Sequence, residues 1–375
     1  MKYKKFTFLF FFLCFLYITP FFARIWYVDP LHLFHKPYVC KESIFDNMRL
    51  SNAGLIKHYD FNNIILGSSM LENTSANEAS QILGGKFINL SMAGSFFYER
   101  SFVLDFTLKN KKISKVVYSL DDKNILSPTY RHTDYDPELF SFLYDNNPFN
   151  DYKIYLTDEF LEQIFRKENC IKSDIDRPKA WFKYRGFTAT MGGFDKWIMY
   201  KNNNLMPRSL SAIVTAVENI KNNDTQQLLN TEKRINEATQ YIDDNILKFV
   251  INNPNIEFLL FIPPYSRLNN AIDAQAKRED FIVYRESIRY LVKQSKQHKN
   301  IKVYAWGNTD YPDNIANYRD LHHYAKEFNS LMLHYMAQDI GLLTPENFDE
   351  YYNEFEQKSL QFDLMPYYEQ IKNNS

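Results

Sequence analysis

The stretch Phe61–Met70, with the sequence FNNIILGSSM, places the strongest constraint on the fold of this chain. Its apolar run Ile64–Leu66 has no polar alternation, which is typical of a strand buried on both faces of a parallel sheet. The run ends at Gly67, where a glycine permits a sharp turn, and two serines follow. Ligands of open α/β sheets bind outside the carboxyl ends of the strands, so we predict that Ser68 and Ser69 lie at such an edge.

A helix is predicted directly after this turn. Asn73, Thr74 and Ser75 offer N-caps for the segment NEASQIL, and Gly84 and Gly85 end it. The resulting unit is strand, turn and helix. A serine in this position can equally serve only as a cap or turn residue, so a second element is needed before chemistry can be assigned to it.

That second element is the segment DLHHY, in which Asp320 and His323 are three residues apart. Taken alone, Asp320 is an ordinary helix N-cap and His323 a first-turn residue. Beside a serine they form a base and an orienting acid, because the imidazole takes the hydroxyl proton and the carboxylate fixes the tautomer of the imidazole. We predict that both lie at the start of a helix, whose positive end favours the neutral imidazole.

Four stretches of the chain resemble sequence blocks of the SGNH (GDSL) hydrolase superfamily: IILGSSM, FINLSMAGS, FIPPYS and DLHHY. The resemblance is to the membrane-anchored envelope branch, which includes the alginate-acetylation proteins and the D-alanylation protein of teichoic acid. It implies a catalytic triad of Ser69, Asp320 and His323. It also implies an oxyanion hole built from the backbone amides of Ser69 and Gly94, with Asn124 near the place of a third donor.

The chain departs from the family pattern at two points. Ser68 stands where the family motif has Asp, and no clean G-x-N-D block follows the third predicted strand. The segment VVYSLDDKN supplies Asn124 at about the corresponding place, so the third oxyanion donor is the weakest part of the resemblance.

Further apolar runs complete an α/β pattern, with strands predicted in KFINL, KVVYSL, NIEFLLF and IKVYAW. The predicted fold class is α/β, and the resemblance makes it a three-layer α/β/α flavodoxin-like domain with a mostly parallel five-stranded sheet, a large insertion and an N-terminal transmembrane helix. The predicted organisation is a membrane anchor at 1–25, a juxtamembrane connector at 26–57, the α/β domain at 58–343 with an insertion at 123–230, and a tail at 344–375.

The insertion interrupts the alternation of strands and helices, and it has the character of a lid or of a surface that binds a partner. Sugar rings present apolar faces on which aromatic side chains can stack, and five residues of the insertion are candidates for such contacts: Tyr130, His132, Trp181, Tyr184 and Trp197. The alternative is that these aromatic residues form a local core.

The amino terminus predicts a membrane anchor. Lys2, Lys4 and Lys5 precede eighteen residues without a charge, FTFLFFFLCFLYITPFFA, which is near the length that spans a bilayer. No convincing small-x-small cleavage site follows, which favours an uncleaved single-pass anchor over a cleaved signal peptide. The positive-inside rule then places the chain after about Trp26 on the periplasmic or other extracytoplasmic side. In that oxidising compartment Cys40 and Cys170 either pair or remain free.

Composition and spacing argue against several classes of partner. The formal net charge is −1 and the charged residues are interspersed, so no nucleic-acid partner is expected. The histidines do not combine with Cys or carboxylates at ligand spacing, so neither a metal nor a cofactor is predicted.

The resemblance implies an extracytoplasmic serine esterase or O-acyltransferase that acts on an acylated envelope glycan or another cell-surface polymer, in concert with a membrane partner in acyl transfer. An alternative of another class is a catalytically silent glycan-binding or scaffold subunit of an envelope acylation complex. A third reading is acyl or D-alanyl transfer to a polymer of the teichoic-acid kind.

Overall fold

The computed structural model describes residues 2–38, 44–45, 47–131, 137–165, 175–176, 192–201 and 206–374. Within these residues the chain is an α/β protein with one mixed sheet of six strands. The strands are β1 Asn63–Leu66, β2 Phe87–Asn89, β3 Lys115–Ser119, β4 Glu257–Phe261, β5 Ile301–Tyr304 and β6 Leu342–Leu343. The order across the sheet is β2-β1-β3-β4-β5-β6. Neighbours from β2 to β5 are parallel, and β6 is antiparallel to β5.

The prediction of five strands is wrong, because the short strand β6 adds a sixth at the edge. Asp339 and Gly341 have positive φ angles of 54° and 79°, and they turn the chain back so that Leu342 lies opposite Tyr304. A Cβ on Gly341 would be only 2.4 Å from Nε1 of Trp306, so the turn also needs the missing side chain. A strand of two residues is too short to show the alternation from which strands are predicted.

Helices connect the strands. Their bounds are α1 Lys2–Val28, α2 Met48–His58, α3 Ala76–Leu83, α4 Phe97–Asn110, α5 Asp122–Leu126, α6 Pro148–Tyr155, α7 Asp158–Phe165, α8 Phe194–Met199, α9 Met206–Lys221, α10 Thr231–Ile242, α11 Lys248–Asn252, α12 Arg267–Ala276, α13 Arg278–Gln294, α14 Lys326–Ala337, α15 Phe348–Gln361 and α16 Met365–Asn373. A π-helical turn, Asp243–Leu247, joins α10 to α11. Short 3-10 turns lie at Pro137–Leu139, Ser141–Leu143, Tyr311–Asp313 and Ile315–Asn317.

Helix α3 confirms the helix predicted after the serine turn. The side chain of Ser75 accepts a hydrogen bond from the backbone N–H of Glu78 at 3.1 Å, as an N-cap does. Gly84 ends the helix with a φ of 76°. The local sequence therefore fixes both ends of the helix that follows Ser69.

Helices cover both faces of the sheet. On one face Ile65, Val117 and Leu259 are buried in a single hydrophobic core together with apolar residues of α3, α9, α12 and α14. On the opposite face the ring of Tyr118 lies 5.8 Å from that of Phe97 in α4. Because successive strand residues point to opposite faces, strands buried on both sides read as continuous apolar runs in the sequence.

The described chain divides into two compact units. Unit 1 consists of Met1–Asp60, Phe106–Lys111 and Arg131–Ile175, and unit 2 of Phe61–Asp105, Lys112–Tyr130 and Asp176–Ser375. The segment from 123 to 230 is thus shared between them. Unit 2 contains all six strands of the sheet.

Unit 1 contains one helix, Tyr3–Val28 within α1, that is long and apolar enough to cross a membrane. The carboxylate of Asp29 fixes the turn after this helix, since it accepts hydrogen bonds from the backbone N–H groups of Leu33, Phe34 and His35 at 2.9, 2.8 and 3.1 Å. The hydroxyl of Tyr155 in α6 donates to the same carboxylate. Cys14 in α1 is a free thiol, and Cys40 and Cys170 lie outside the described residues.

The C-terminal tail packs back on unit 2. The hydroxyl of Tyr351 in α15 accepts a hydrogen bond from the backbone N–H of Gly307 at 3.1 Å. The side-chain amide of Gln275 in α12 donates to the carbonyl of Ser359 at 2.9 Å. The tail is therefore part of the folded unit that carries the sheet.

Candidate functional site

The candidate site lies in unit 2 at the carboxyl end of β1, where the chain turns through Gly67, Ser68 and Ser69. A Cβ on Gly67 would be 2.5 Å from Oγ of Ser119 and 2.7 Å from a methyl carbon of Leu71. The φ of Gly67 is not in the left-handed region. The glycine is therefore required by the closeness of β3, and not by a special backbone conformation as the sequence suggested.

Ser69 and His323, which are 254 positions apart in the chain, meet at this turn. Oγ of Ser69 lies 2.9 Å from Nε2 of His323. The other ring nitrogen, Nδ1, lies 2.9 Å from Oδ1 and 2.8 Å from Oδ2 of Asp320. The three side chains predicted from the sequence as nucleophile, base and acid thus form one continuous hydrogen-bonded line.

Asp320 and His323 lie in a turn before α14 and not inside that helix, which begins only at Lys326. Oδ1 of Asp320 accepts hydrogen bonds from the backbone N–H groups of His322 and His323, both at 2.9 Å. The backbone N–H of Arg319 donates to the carbonyl of His323 at 2.9 Å. These local bonds satisfy the backbone without a helix, so the prediction that the helix starts at Asp320 and His323 is wrong.

The loop that follows β4, within the FIPPYS block of the sequence, is hydrogen-bonded to the turn that carries Asp320 and His323. The hydroxyl of Ser266 donates to the carbonyl of Leu321 at 2.7 Å, and the hydroxyl of Tyr318 donates to the carbonyl of Pro264 at 2.6 Å. Both of these hydroxyl-bearing residues are fully buried. The position of the acid and base is therefore fixed by the sheet, although neither residue lies on a strand.

The electrostatics of the turn keep Asp320 ionised. Burial alone would raise the pKa of Asp320, but the adjacent His323 and the hydrogen bonds from its ring and backbone hold that pKa well below its usual range. For the neighbouring His322, desolvation is the largest effect and lowers the pKa, although Asp122 and Asp320 act in the opposite direction. The ring of His322 lies edge-on to that of Tyr265 at 5.0 Å. His322 is therefore a neutral imidazole near neutral pH.

Two backbone N–H groups beside the serine are free to bind an anion. Among the described residues, none accepts a hydrogen bond from the backbone N–H of Ser69 or of Gly94. Gly94, in the loop after β2, has a φ of 64°, and the space where its Cβ would stand is open. Donors of this kind, with no internal partner, can stabilise the negative oxygen that develops when a carbonyl is attacked.

These groups line a cavity of about 130 Å³ at the end of the sheet. Because a liquid water molecule occupies about 30 Å³, the cavity has room for roughly four waters or one small acyl group. His322 and His323 line this cavity and also a second, larger groove of about 390 Å³. The polar and charged residues that line this groove include Lys123, Ser127, Arg208, Asn269, Asp273 and Lys277.

Asn124, the candidate third oxyanion donor, lines the cavity but is held by the backbone. Its Oδ1 accepts a hydrogen bond from the N–H of Phe97 at the start of α4, and its Nδ2 donates to the carbonyl of Ser95 at 3.3 Å. The side chain is buried. Asn124 therefore braces the loop that carries Gly94. The 3.3 Å hydrogen bond from its Nδ2 to the carbonyl of Ser95 is long and therefore weak.

The candidate sugar-binding residues have different positions. Tyr130 is 49% exposed and its ring lies 5.2 Å from that of Phe96, which lines the cavity. Trp197 is fully buried, and its Nε1 donates to the carbonyl of Tyr318 at 3.1 Å. Trp197 therefore belongs to the core behind the acid–base turn, where no sugar can stack on it. His132, Trp181 and Tyr184 lie outside the described residues.

A buried network around Arg100, which the sequence did not reveal, ties the loops of the site together. The guanidinium of Arg100 donates through Nη2 to Asp121 at 2.6 Å, through Nη1 to the carbonyl of Ser119 at 2.7 Å and through Nε to Oγ of Ser95 at 2.8 Å. The hydroxyl of Ser68 donates to the other carboxylate oxygen of Asp121 at 2.6 Å. Nothing in the sequence distinguishes Arg100 from the other charged residues of α4, and Asp121 is one of two acidic residues shortly after β3.

We expect Arg100→Met to lower the free energy of unfolding of unit 2 by about 3–5 kcal/mol, because it leaves the buried carboxylate of Asp121 without its cation. Arg289→Met is the matched control. Arg289 pairs with Glu286 and Asp349 at 2.8 and 2.5 Å, but its side chain is 24% exposed, so its loss should cost at most about 1 kcal/mol. Denaturant unfolding followed by circular dichroism measures both.

A double variant tests the physical reason for that loss. Adding Asp121→Asn to Arg100→Met removes the uncompensated charge, so part of the lost stability should return. Equal losses in Arg100→Met and Arg289→Met, or no recovery in the double variant, would contradict a buried ion pair as the link between these loops.

No family model, no curated protein and no solved structure matches this chain. Among the described residues, no group of three or more His, Cys, Asp or Glu side chains is arranged to hold a metal ion.

Proposed function

We propose that the chain is an SGNH-type serine esterase or O-acyltransferase that acts outside the cytoplasm on an acylated envelope glycan or another cell-surface polymer. The observation that carries the proposal is the line from Ser69 Oγ to His323 Nε2 and from His323 Nδ1 to Asp320, with contacts of 2.8 to 2.9 Å. The order β2-β1-β3-β4-β5 of the parallel strands supports the SGNH assignment, since it is the order of flavodoxin-like sheets.

In the proposed reaction Ser69 Oγ attacks the acyl carbon of an ester while His323 Nε2 takes the hydroxyl proton. The carbonyl oxygen becomes an oxyanion that accepts hydrogen bonds from the N–H groups of Ser69 and Gly94. When the intermediate collapses, the ester C–O bond breaks and His323 returns the proton to the departing alcohol. The acyl group is then held on Ser69 as an ester.

The second half repeats these steps with a new nucleophile. Water or an acceptor hydroxyl gives its proton to His323 and attacks the acyl-serine, and His323 then protonates Ser69 Oγ as it leaves. Water yields a free carboxylic acid, whereas an acceptor hydroxyl yields a new ester. Hydrolysis and transfer therefore share one acyl-enzyme, and the compound that occupies the groove beside His323 decides between them.

The size of the cavity supports a small acyl group. Its volume of about 130 Å³ suits acetyl better than a long chain, whereas the groove of about 390 Å³, lined by polar residues, suits the alcohol portion of a substrate. A longer acyl chain would have to displace the side chains that line the cavity, among them Phe96 and Tyr265.

The test is turnover of esters by the purified full chain in detergent. We expect hydrolysis of p-nitrophenyl acetate, with kcat/KM falling at least tenfold for the octanoate. Addition of an oligosaccharide acceptor should divert acetyl from water to sugar in proportion to its concentration, which mass spectrometry would detect. A folded chain that turns over no ester and reacts with no serine-directed phosphonate would instead fit the silent glycan-binding or scaffold subunit.

The same proposal fixes the orientation in the membrane. We expect an enzyme reporter that works only outside the cytoplasm to be active when fused after Ser375, because Lys2, Lys4 and Lys5 flank the apolar helix on the side retained in the cytoplasm. Replacing all three lysines with glutamine should reduce the reporter activity. The control replaces three lysines far from the helix, and activity of a cytoplasmic reporter alone would reverse the assigned side.

A further inference from the structure

Unit 1 exposes large apolar side chains on α6, at its C-cap and on α7. Phe149 is 84% exposed, Leu156 48% and Phe165 52%. Phe149 and Tyr152 of α6 and Leu156, the residue that caps its C-terminus, are spaced by three and four residues, so they form one stripe along the helix and its end. We refer to this stripe together with Phe165 as the apolar collar. Side chains of this size on a surface mark a contact with something other than water.

The apolar collar is attached to the end of the apolar helix α1. The ring of Phe165 stacks on that of Phe21 at 5.5 Å with an interplanar angle of 19°. The ring of Tyr152 meets that of Phe22 edge-on at 5.2 Å. Nε of Arg24 donates to the carbonyl of Ile164 at 3.0 Å, which holds the end of α7 at the same level.

The length of α1 sets the depth of these contacts in a bilayer. The eighteen uncharged residues Phe6–Ala23 rise about 27 Å at 1.5 Å per residue, close to the hydrocarbon thickness of about 30 Å. Phe21 and Phe22 are the last rings of that run, so they lie where the helix leaves the hydrocarbon. Tyr152 and Phe165, which contact them, lie at the same boundary.

Aromatic residues just beyond this boundary have the composition of an interfacial belt. Trp26, Tyr27 and Tyr38 are 43%, 46% and 54% exposed. The ring of Tyr38 lies 5.9 Å from Trp26 and 6.1 Å from Tyr27, so the three form one cluster. Tryptophan and tyrosine are enriched at the headgroup level of membranes because their rings are apolar and their tips are polar.

We propose that the apolar collar is a second membrane-contacting surface, which rests in the headgroup and upper acyl-chain region of the bilayer beside α1. The partner is a lipid surface, because the collar continues the apolar surface of the helix that spans it and ends in an aromatic cluster. Contacts on two helices besides α1 would fix how unit 1 is seated on the membrane. This inference rests on α1 spanning the bilayer and is independent of the proposed catalysis.

The test measures depth in the membrane for the full chain in nanodiscs. Phe149→Trp places a fluorophore on the apolar collar, and Glu159→Trp is the matched control on α7, where the native side chain is exposed and charged. After subtraction of the fluorescence of the parent chain, lipids brominated on the acyl chain should quench the fluorophore at position 149 at least twofold more than that at position 159. Non-brominated lipids give the reference intensity for each variant.

Equal quenching at the two positions, or weaker quenching at position 149, would overturn the proposal and leave the collar to a protein partner or to another part of the chain. Circular dichroism on both variants verifies that unit 1 remains folded. Ester turnover by the same samples separates the two proposals, since a chain that hydrolyses ester without quenching at position 149 refutes only the membrane contact.

Discussion

A serine-reactive phosphonate is expected to label Ser69 and to leave Ser68 unlabelled. The two hydroxyls are adjacent in sequence but have different partners, since Ser69 Oγ lies 2.9 Å from the imidazole of His323 and Ser68 Oγ donates at 2.6 Å to Asp121. Only Ser69 has an imidazole nitrogen within hydrogen-bond distance of its hydroxyl, at a position from which it can accept the proton. The carboxylate beside Ser68 is already engaged in an ion pair with Arg100 at 2.6 Å.

The solvent exposure of the two serines also favours labelling at Ser69. Ser68 is 6% exposed and its hydroxyl belongs to the buried network, whereas Ser69 lines the open cavity and its hydroxyl is half-buried. The phosphonyl oxygen of the reagent mimics the oxyanion, so the free N–H groups of Ser69 and Gly94 should accelerate the reaction. Peptide mass spectrometry of the labelled full chain identifies the modified serine.

Four variants complete this prediction. Ser69→Ala and His323→Ala should each abolish labelling, because one lacks the nucleophile and the other lacks the base. Ser68→Ala should still be labelled at Ser69, and Ser114→Ala, at an exposed serine just before β3, controls for the loss of a serine hydroxyl outside the site. A label on Ser68 would move the nucleophile by one residue and keep the mechanism, whereas no label on a folded chain would favour the scaffold.

The sequence was most informative where backbone chemistry is local. The apolar runs of β1 to β5 and the Ser75 cap of α3 depend on neighbours within a few residues, and the structure has them where the sequence predicted. The meeting of Ser69 with His323 is a long-range contact, yet it followed from the rule that the carboxyl ends of parallel strands share one edge.

What the sequence did not reveal depends on contacts between distant segments. A pattern of three or four residues cannot show that Arg100 in α4 reaches an Asp after β3, or that Trp197 supports Tyr318. The start of α14 was misplaced because the carboxylate of Asp320 serves two functions at once, as a cap of its own turn and as the partner of an imidazole. Both functions use the same residue type at the same spacing, so the sequence alone cannot separate them.

The second prediction is that Asp320→Asn lowers kcat by about four orders of magnitude while the fold is retained. In the parent chain both carboxylate oxygens accept, so the proton of His323 resides on Nδ1 and Nε2 is free to accept from Ser69. Oδ1 also accepts from the N–H groups of His322 and His323. An asparagine must keep its oxygen at those two N–H groups, which leaves its NH₂ group facing Nδ1.

An NH₂ group donates, so it selects the tautomer of His323 that carries its proton on Nε2. That tautomer cannot take a proton from Ser69, and the uncharged amide no longer stabilises the imidazolium that forms during the reaction. Because the pKa of Asp320 is held far below its usual range, the parent carboxylate stays ionised across ordinary assay pH, and the difference between the two chains should persist there.

Asp310→Asn is the matched control, since Asp310 is 95% exposed and its ion pair with Lys358 at 3.2 Å lies outside the candidate site. It should keep kcat within twofold of the parent. Thermal unfolding should be nearly unchanged in both variants, because asparagine preserves the two backbone hydrogen bonds that hold the turn. A kcat within tenfold of the parent for Asp320→Asn would mean that Asp320 only shapes the turn, and the base would then need another group to set its tautomer.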